Sequence, residues 1–316
     1  MILNGGISIK SIFLLLERYQ KKFMNENHYP VLKEEVKKWI NLKENGIYVD
    51  CTVGAGGHAK YLLSSMKNIF LIGLDKDEEM IEIAKENLKE FKNFRLIKGG
   101  FENIKEIIER ENIKEVDGIL FDLGFSKLQI KDSEKGFSFM IDGPLDMRYD
   151  KNSNLRAYDI LNFWDKKDLI YIFKNYGEIA NCERIVNRII ERRKKKKFET
   201  TREFADFICE NFRERKKIHP ATRFFLALRI AVNDELNCLK NGLKNSLSIL
   251  KNGGRILVIS FNSLEDRIVK NFFRERKEIK VLTKKPIVPT EEEIKKNPLS
   301  RSAKLRVGEK NEEVGL

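Results

Sequence analysis

Between residues 46 and 122 four short apolar runs alternate with amphipathic ones: Gly46-Ile-Tyr-Val-Asp-Cys51, Ile69-Phe-Leu-Ile-Gly-Leu74, Phe94-Arg-Leu-Ile97 and Asp117-Gly-Ile-Leu-Phe-Asp122. The stretches between them carry helical spacing. His58 to Met66 sets Tyr61, Leu62 and Met66 on one face, Glu78 to Leu88 does the same with Met80, Ile81, Ala84 and Leu88, and Phe101 to Arg110 follows. Strands apolar on both faces need cover on both faces, and strands joined through helices pair in parallel. The expected fold is α/β, a doubly wound parallel sheet.

That alternation stops past Asp122 and resumes late. From about Lys131 to Arg223 there is no convincing buried strand, only Gly/Pro/Asp-rich loop and then charged helical sequence. A long helix is expected from about Ala221 to Leu250, then the break Asn252-Gly-Gly254, the strand Arg255–Phe261 and a helix from Ser263 to Glu275. Two short strands near Lys280–Leu282 and Lys304–Val307 close the pattern. The expected division is a leading extension at 1–24, a first sheet segment at 25–130, a helical insertion at 131–223 and a second sheet segment at 224–316. Residues 1–24 suggest a short amphipathic helix, and Met24 offers a second start.

Composition narrows the chemistry. A chain of 316 residues with 41% hydrophobic content can build a real core, so wholesale disorder is excluded. Lys and Arg number 61 against 48 acids, a net charge of +13 that favours an anionic partner. Four scattered cysteines and three histidines form neither a disulfide frame nor a metal cluster, which points to reduced thiols, a cytoplasmic setting and no metal. The apolar run Ile12–Leu16 is far too short for a membrane span.

Ligand chemistry is expected at the turn after the first strand. Gly54, Gly56 and Gly57 let the backbone approach a ligand and open a helix N-terminus toward it. Asp75 ends the second strand 21 residues after Gly54, the separation of a carboxylate that accepts from both ribose hydroxyls of a nucleoside cofactor. NAD and S-adenosylmethionine both meet that description, although Gly-Ala-Gly-Gly is not the GxGxxG of a pyrophosphate clamp. Asp122, ending the fourth strand, faces the same crevice.

Beyond it lies Gly136-Phe-Ser-Phe-Met-Ile-Asp-Gly-Pro-Leu-Asp-Met-Arg148. Phe137 or Phe139 would stack on a planar substrate there, with Asp142, Asp146 and Arg148 on its polar edge; a packed loop anchored by its phenylalanines is the plainer alternative. Positive charge gathers from Cys182 to Arg223, where 14 cations face 7 acids and Arg192–Lys197 are six in a row. Lys194 and Lys195 in that run are candidate phosphate contacts. His28, His219 with Arg223, and Ser260–Arg267 are expected to converge on one rim.

These motifs are similar to one family. His28-Tyr-Pro-Val-Leu32, Tyr48-Val-Asp-Cys-Thr52 with Gly54–His58, Gly118–Gly124, Gly136-Phe-Ser-Phe139 with Asp142–Arg148, His219–Arg223 with Ala227–Leu236, Ser260–Arg267 and Arg301–Arg306 appear in order from His28 to Gly308. The chain resembles the bacterial 16S ribosomal RNA (cytosine-N4)-methyltransferases of the RsmH/MraW type. The resemblance implies a class I (Rossmann-like) S-adenosylmethionine-dependent methyltransferase whose helical insertion presents RNA. It implies methyl transfer to the exocyclic amine of a decoding-region cytidine in 16S rRNA of the small ribosomal subunit, with no membrane partner. Monomer and homodimer stay equally open.

Carried over by motif, the cofactor contacts are Gly56, Gly57, His58, Asp75, Phe101, Asp122 and Gln129. No Asn/Asp-Pro-Pro-aromatic loop follows the fourth strand, so the acceptor for the amine proton falls to Asp146, Asn262 or a backbone carbonyl near Gly124. The family usually carries His where Asn262 stands, Val-Ser-Ser-Pro at Phe125–Leu128, Tyr-Gly-Glu-Glu-Arg-Phe at Tyr176–Asn181, and Arg-Ala at Leu299–Ser300.

Overall fold

The computed structural model describes residues 30–124, 126–213 and 218–311. His28 and the expected N-terminal helix lie outside them. The chain forms two compact units, one of residues 1–124 and 238–316, the other of residues 125–237. Among the described residues no helix is long and apolar enough to cross a membrane.

The first unit is a seven-stranded sheet in the order β3-β2-β1-β4-β5-β7-β6. Its strands are β1 (Ile47–Asp50), β2 (Phe70–Asp75), β3 (Phe94–Lys98), β4 (Val116–Asp122), β5 (Leu250–Ser260), β6 (Ile279–Val281) and β7 (Lys304–Lys310). The first five pair in parallel, and β7 inserts antiparallel between β5 and β6. This is the class I, Rossmann-like arrangement. β1 touches β2 on one side and β4 on the other, so strand order reverses at β1 and a crevice opens at its carboxyl end.

Helices α1 (Lys33–Ile40), α2 (Gly57–Ser65), α3 (Glu78–Asn87) and α4 (Ile104–Arg110) alternate with the strands. The sheet buries two apolar layers. One packs Ile72, Ile119, Phe121 and Val258 against Ile104, Ile108 and Leu243; the other packs Leu71, Leu120 and Leu257 against Ile40, Leu62 and Ala84. The expected break at Asn252–Gly254 falls inside β5. Leu250 already pairs with Val116 while Arg255 pairs with Gly118, and the extra residues leave the ladder at a bulge where Gly253 has φ +73°.

The second unit is helical: α5 (Lys127–Lys131), α6 (Ala157–Phe163), α7 (Lys166–Asn175), α8 (Glu183–Lys195), α9 (Thr201–Asn211) and α10 (Thr222–Asn233). Its own core joins Ile160, Phe173, Ile189, Phe204, Phe224 and Leu228. The insertion is therefore longer than 131–223, because the apolar face of α10 is buried in this core. The helix expected from 221 to 250 also divides. Asp234 adopts φ 48° between α10 and α11 (Glu235–Ile249). The Asn233 side chain bridges the helix end to a distant loop, its Nδ2 donating to the Met147 (2.8 Å) and Arg229 (2.9 Å) carbonyls and its Oδ1 accepting from the Tyr149 N–H (2.9 Å). An Asn-Asp pair tolerates that left-handed step better than most residues.

Helix α12 (Ser263–Glu275) starts where the sequence places it. Asn262 caps it by accepting from Leu264 and Glu265 N–H, each at 3.0 Å, and the Glu265 carboxylate reaches back to the Phe261 N–H at 2.8 Å. Helix α13 (Glu291–Lys296) closes the set before β7.

Candidate functional site

Three neighbouring strands end at one place in the sheet unit. After β1 the chain turns through Gly54 (φ +51°) and Gly56 (φ +85°) into α2, and no side chain caps that helix. Its first N–H groups are left for solvent or a ligand. The Gly54 N–H donates to Asp75 Oδ2 at 3.0 Å, and the Asp77 N–H donates to Asp75 Oδ1 at 2.9 Å. Asp75 is thus fixed against the turn from the β2 side.

Asp122 approaches from the β4 side. Its backbone N–H donates to Thr52 Oγ1 at 2.7 Å, and its Oδ2 stands 3.4 Å from His58 Nε2, out of hydrogen-bonding alignment. Beneath the turn lies a residue the sequence reading passed over. Asp50, at the end of β1, is 1% exposed and its Oδ2 has no hydrogen-bond partner. Burial pushes its carboxyl up to about 6, against the pull of His58 and the Thr52 N–H, and Asp122 adds to the rise. A signal was present: an acid closing an apolar strand immediately before a glycine turn.

The donor set distinguishes the two cofactors. Asp50, Asp75 and Asp122 crowd the turn with negative charge, and Asp50 Oδ2, Asp122 Oδ1 and both His58 ring nitrogens are buried without hydrogen-bond partners. A pyrophosphate would add like charge there, whereas a sulfonium and an ammonium would be neutralised. Asp75 suits the ribose hydroxyls, and the uncapped start of α2 suits a carboxylate. These residues fit S-adenosylmethionine. Phe101 lies in the turn after β3, its ring edge-on to Phe121 at 5.3 Å, on the same unit.

Gly56 carries a testable strain. A Cβ there would meet Leu88 and Ala84 at 3.4–3.5 Å, ordinary contact, so the obstacle to substitution is its φ. Gly56→Ala is expected to lower unfolding free energy by about 1–2 kcal/mol in chemical denaturation. An unchanged midpoint would show that the turn relaxes without strain.

The remaining candidates sit on the helical unit. Gln129 is buried and forms a capping box with Ser126, accepting from its N–H at 3.0 Å. The 136–148 loop is closed by the Met147 N–H to the Lys135 carbonyl (2.9 Å) and the Leu145 N–H to the Glu199 carbonyl (3.2 Å). Gly136 turns it at φ +63°, where a Cβ would collide with the Pro144 carbonyl. Arg148 grips Asp146 through Nε (2.8 Å) and Nη2 (2.7 Å), and its Nη1 donates to the Lys151 carbonyl at 3.0 Å. That arginine is a loop brace.

Two expectations are corrected. Phe137 is a core residue stacked on Tyr149 at 5.2 Å, so its ring is spent on packing and offers no platform for a base. Arg223 is buried, its Nε donating to the Gly177 carbonyl at 2.9 Å and its Nη2 to that of Glu178, which fixes the turn after α7. Phe139 is half-buried and stacks on His219 at 4.5 Å. Lys194 and Lys195 are exposed at the end of α8.

Comparison with known proteins agrees with this reading. Residues 25–311 match the MraW methylase family. A ribosomal RNA small subunit methyltransferase H of Sulfurihydrogenibium sp. (strain YO3AOP1) is 50% identical over 289 residues, covering 89% of this chain and 98% of the relative. One from Persephonella marina is 49% identical over 290 residues, 90% of this chain and 99% of its own. One from Caldicellulosiruptor saccharolyticus is 46% identical over 303 residues, with coverage of 90% and 99%. With a family match over residues 25–311 and relatives of 46–50% identity along nearly their whole length, the chain belongs to the MraW methylase family.

Proposed function

We propose that this methylase transfers the methyl group of S-adenosylmethionine to the exocyclic N4 amine of a cytidine in the decoding region of 16S ribosomal RNA. The glycine turn held between Asp75 and Asp122 at the carboxyl edge of the sheet carries the cofactor half of this reading. Relatives that act on small-subunit ribosomal RNA support the substrate half.

When bound, the sulfonium supplies an electrophilic methyl group. Asp75 would hold the ribose, with Gly56, Gly57, His58 and Phe101 as further cofactor contacts and Asp122 and Gln129 as candidates for the adenine end and the methyl-facing mouth. The protein's remaining task is to position the base. Cytosine's amine lone pair is delocalised into the ring, so the amine reacts only when held in line with its target and offered an acceptor for its N–H. Positioning of this kind supplies about 7–11 kcal/mol in favourable cases.

The two candidate groups for the base differ in what they have left to give. Asn262 Oδ1 accepts from two backbone N–H groups, so both its lone pairs are used, while its buried Nδ2 has no partner. It is suited to donate toward a carbonyl or ring nitrogen of a base and cannot accept from an amine. Asp146 Oδ1 accepts from both the backbone N–H and the Nε of Arg148, while its Oδ2 accepts only from Nη2 and keeps a lone pair for an amine. We assign the acceptor role to Asp146, with Phe139 and His219 as the stacked pair beside its loop and Lys194 and Lys195 on phosphate.

The test is chemical identification of the product. The protein is incubated with labelled S-adenosylmethionine and undermethylated small subunits, and the RNA is digested to nucleosides. N4-methylcytidine is the expected product. A different methylated nucleoside, or none beside an active control, overturns the assignment.

A further inference from the structure

The helical unit carries a row of rings and cations that the reading above leaves unused. Helix α6 buries Ala157, Ile160 and Leu161, packs the half-buried Tyr158 against the core and turns Phe163 outward. The two rings meet edge to face with centroids 6.0 Å apart, and Phe163 is 57% exposed. The Arg156 guanidinium lies 5.2 Å from the Tyr158 centroid at one end but is bound to both Asp159 oxygens at 3.0 Å, whereas Lys197 Nζ lies 4.4 Å from the Phe163 centroid at the other.

A single exposed phenylalanine needs no explanation. This one is held in place by a buried clamp. Asn162 accepts from the Phe198 N–H and donates to the Phe198 carbonyl, both at 2.9 Å, which sets residue 163 beside residue 197. The charge is arranged too. Arg192 and Arg193 are consumed at the end of α8: Arg193 donates to the Leu161 carbonyl at 2.9 Å, and Arg192 pairs with Glu203, which also takes Lys196 at 3.0 Å. Among the described residues no carboxylate pairs with Lys194, Lys195 or Lys197. The six-residue cationic run therefore divides into internal braces and lysines left over beside an exposed ring.

We propose that Phe163 and Lys197, backed by Tyr158, form a track for single-stranded RNA, in which a base stacks on Phe163 and the free lysines neutralise the flanking phosphates. Exposed rings interleaved with unpaired cations are the chemistry of such tracks, since every base offers a π-face and every linkage a charge. The track rests on the RNA-methylation reading and names a surface of the insertion that would hold the substrate strand.

Binding of the full chain to undermethylated small subunits and to a mixed-sequence single-stranded RNA is measured across a salt series. Phe163→Ala is expected to weaken affinity about 5- to 100-fold with the salt slope unchanged, because stacking is lost and no charge is removed. Phe163→Tyr should bind like the parent and Phe163→Leu like Phe163→Ala, a pattern that loss of packing alone would not give. Replacing Lys194, Lys195 and Lys197 with Gln should instead reduce the slope by about 2. Affinity for S-adenosylmethionine, read by calorimetry, should stay at the parent value in every variant.

The proposal is overturned if Phe163→Ala binds RNA as the parent does, if Phe163→Leu restores binding, or if the parent prefers vesicles of phosphatidylglycerol or an acidic polypeptide to RNA. N4-methylcytidine formation with RNA affinity indifferent to Phe163 removes the track and leaves the methylation reading standing. Phe163-dependent RNA binding with another methylated nucleoside as product does the reverse.

Discussion

Asp75→Ala is expected to weaken S-adenosylmethionine binding by about two to four orders of magnitude. Hydrogen bonds to a charged acceptor contribute about 1.5–3 kcal/mol each, and a ribose presents two hydroxyls to one carboxylate. The carboxylate is also the partner of the Gly54 and Asp77 N–H groups at 3.0 and 2.9 Å, so its removal releases the glycine turn itself. Asp75→Asn keeps one acceptor oxygen and should recover part of the loss. Calorimetric titration decides the matter: an affinity within a few-fold of the parent would place the ribose elsewhere. Binding to RNA should be unaffected in either variant, which separates a cofactor defect from unfolding.

The second large effect is on stability and depends on pH. Asp50 is fully buried, and its carboxyl is pushed up to about 6 by desolvation, from 3.8 ordinarily. Because its proton is held more tightly in the folded chain than in the unfolded one, its stabilising contribution is complete below the ordinary carboxylate range and is lost as pH rises through about 6. The difference amounts to about 3 kcal/mol. Asp50→Asn keeps the shape and an acceptor for the Thr52 N–H without the charge. The cofactor-free variant should therefore match the parent below about pH 3 and exceed it by up to about 3 kcal/mol at pH 7 and above. Urea denaturation of both proteins across that range measures the gap. A gap that stays constant with pH would mean that Asp50 does not titrate as its burial dictates.

What could be read from the chain alone was whatever is decided between near neighbours. Apolar runs alternating with helical spacing placed β1 to β4, α2 and α3 to within a residue, while α4 begins at Ile104, after a short 3-10 turn where the helix was expected from Phe101. The helix expected from Ser263 begins there as α12, and the interval from Gly54 to Asp75 brought a turn and an acid to adjacent strand ends. Each of these depends on periodicity, a cap or a strand-to-strand register, all local interactions or repeats of one.

The structure decided how side chains from distant segments are used. Phe137 and Arg223 look like substrate contacts in a list of motifs, yet one fills a core and the other holds a turn. The division of the expected long helix at Asp234 follows from Asn233 bonding to residues 84 and 86 positions earlier. The same holds for Asp50, whose altered acidity comes from burial, and for Phe163 and Lys197, which meet only because Asn162 clamps Phe198. Desolvation and cross-element hydrogen bonds arise from what surrounds a residue in space, and that surrounding exists only once the units have packed.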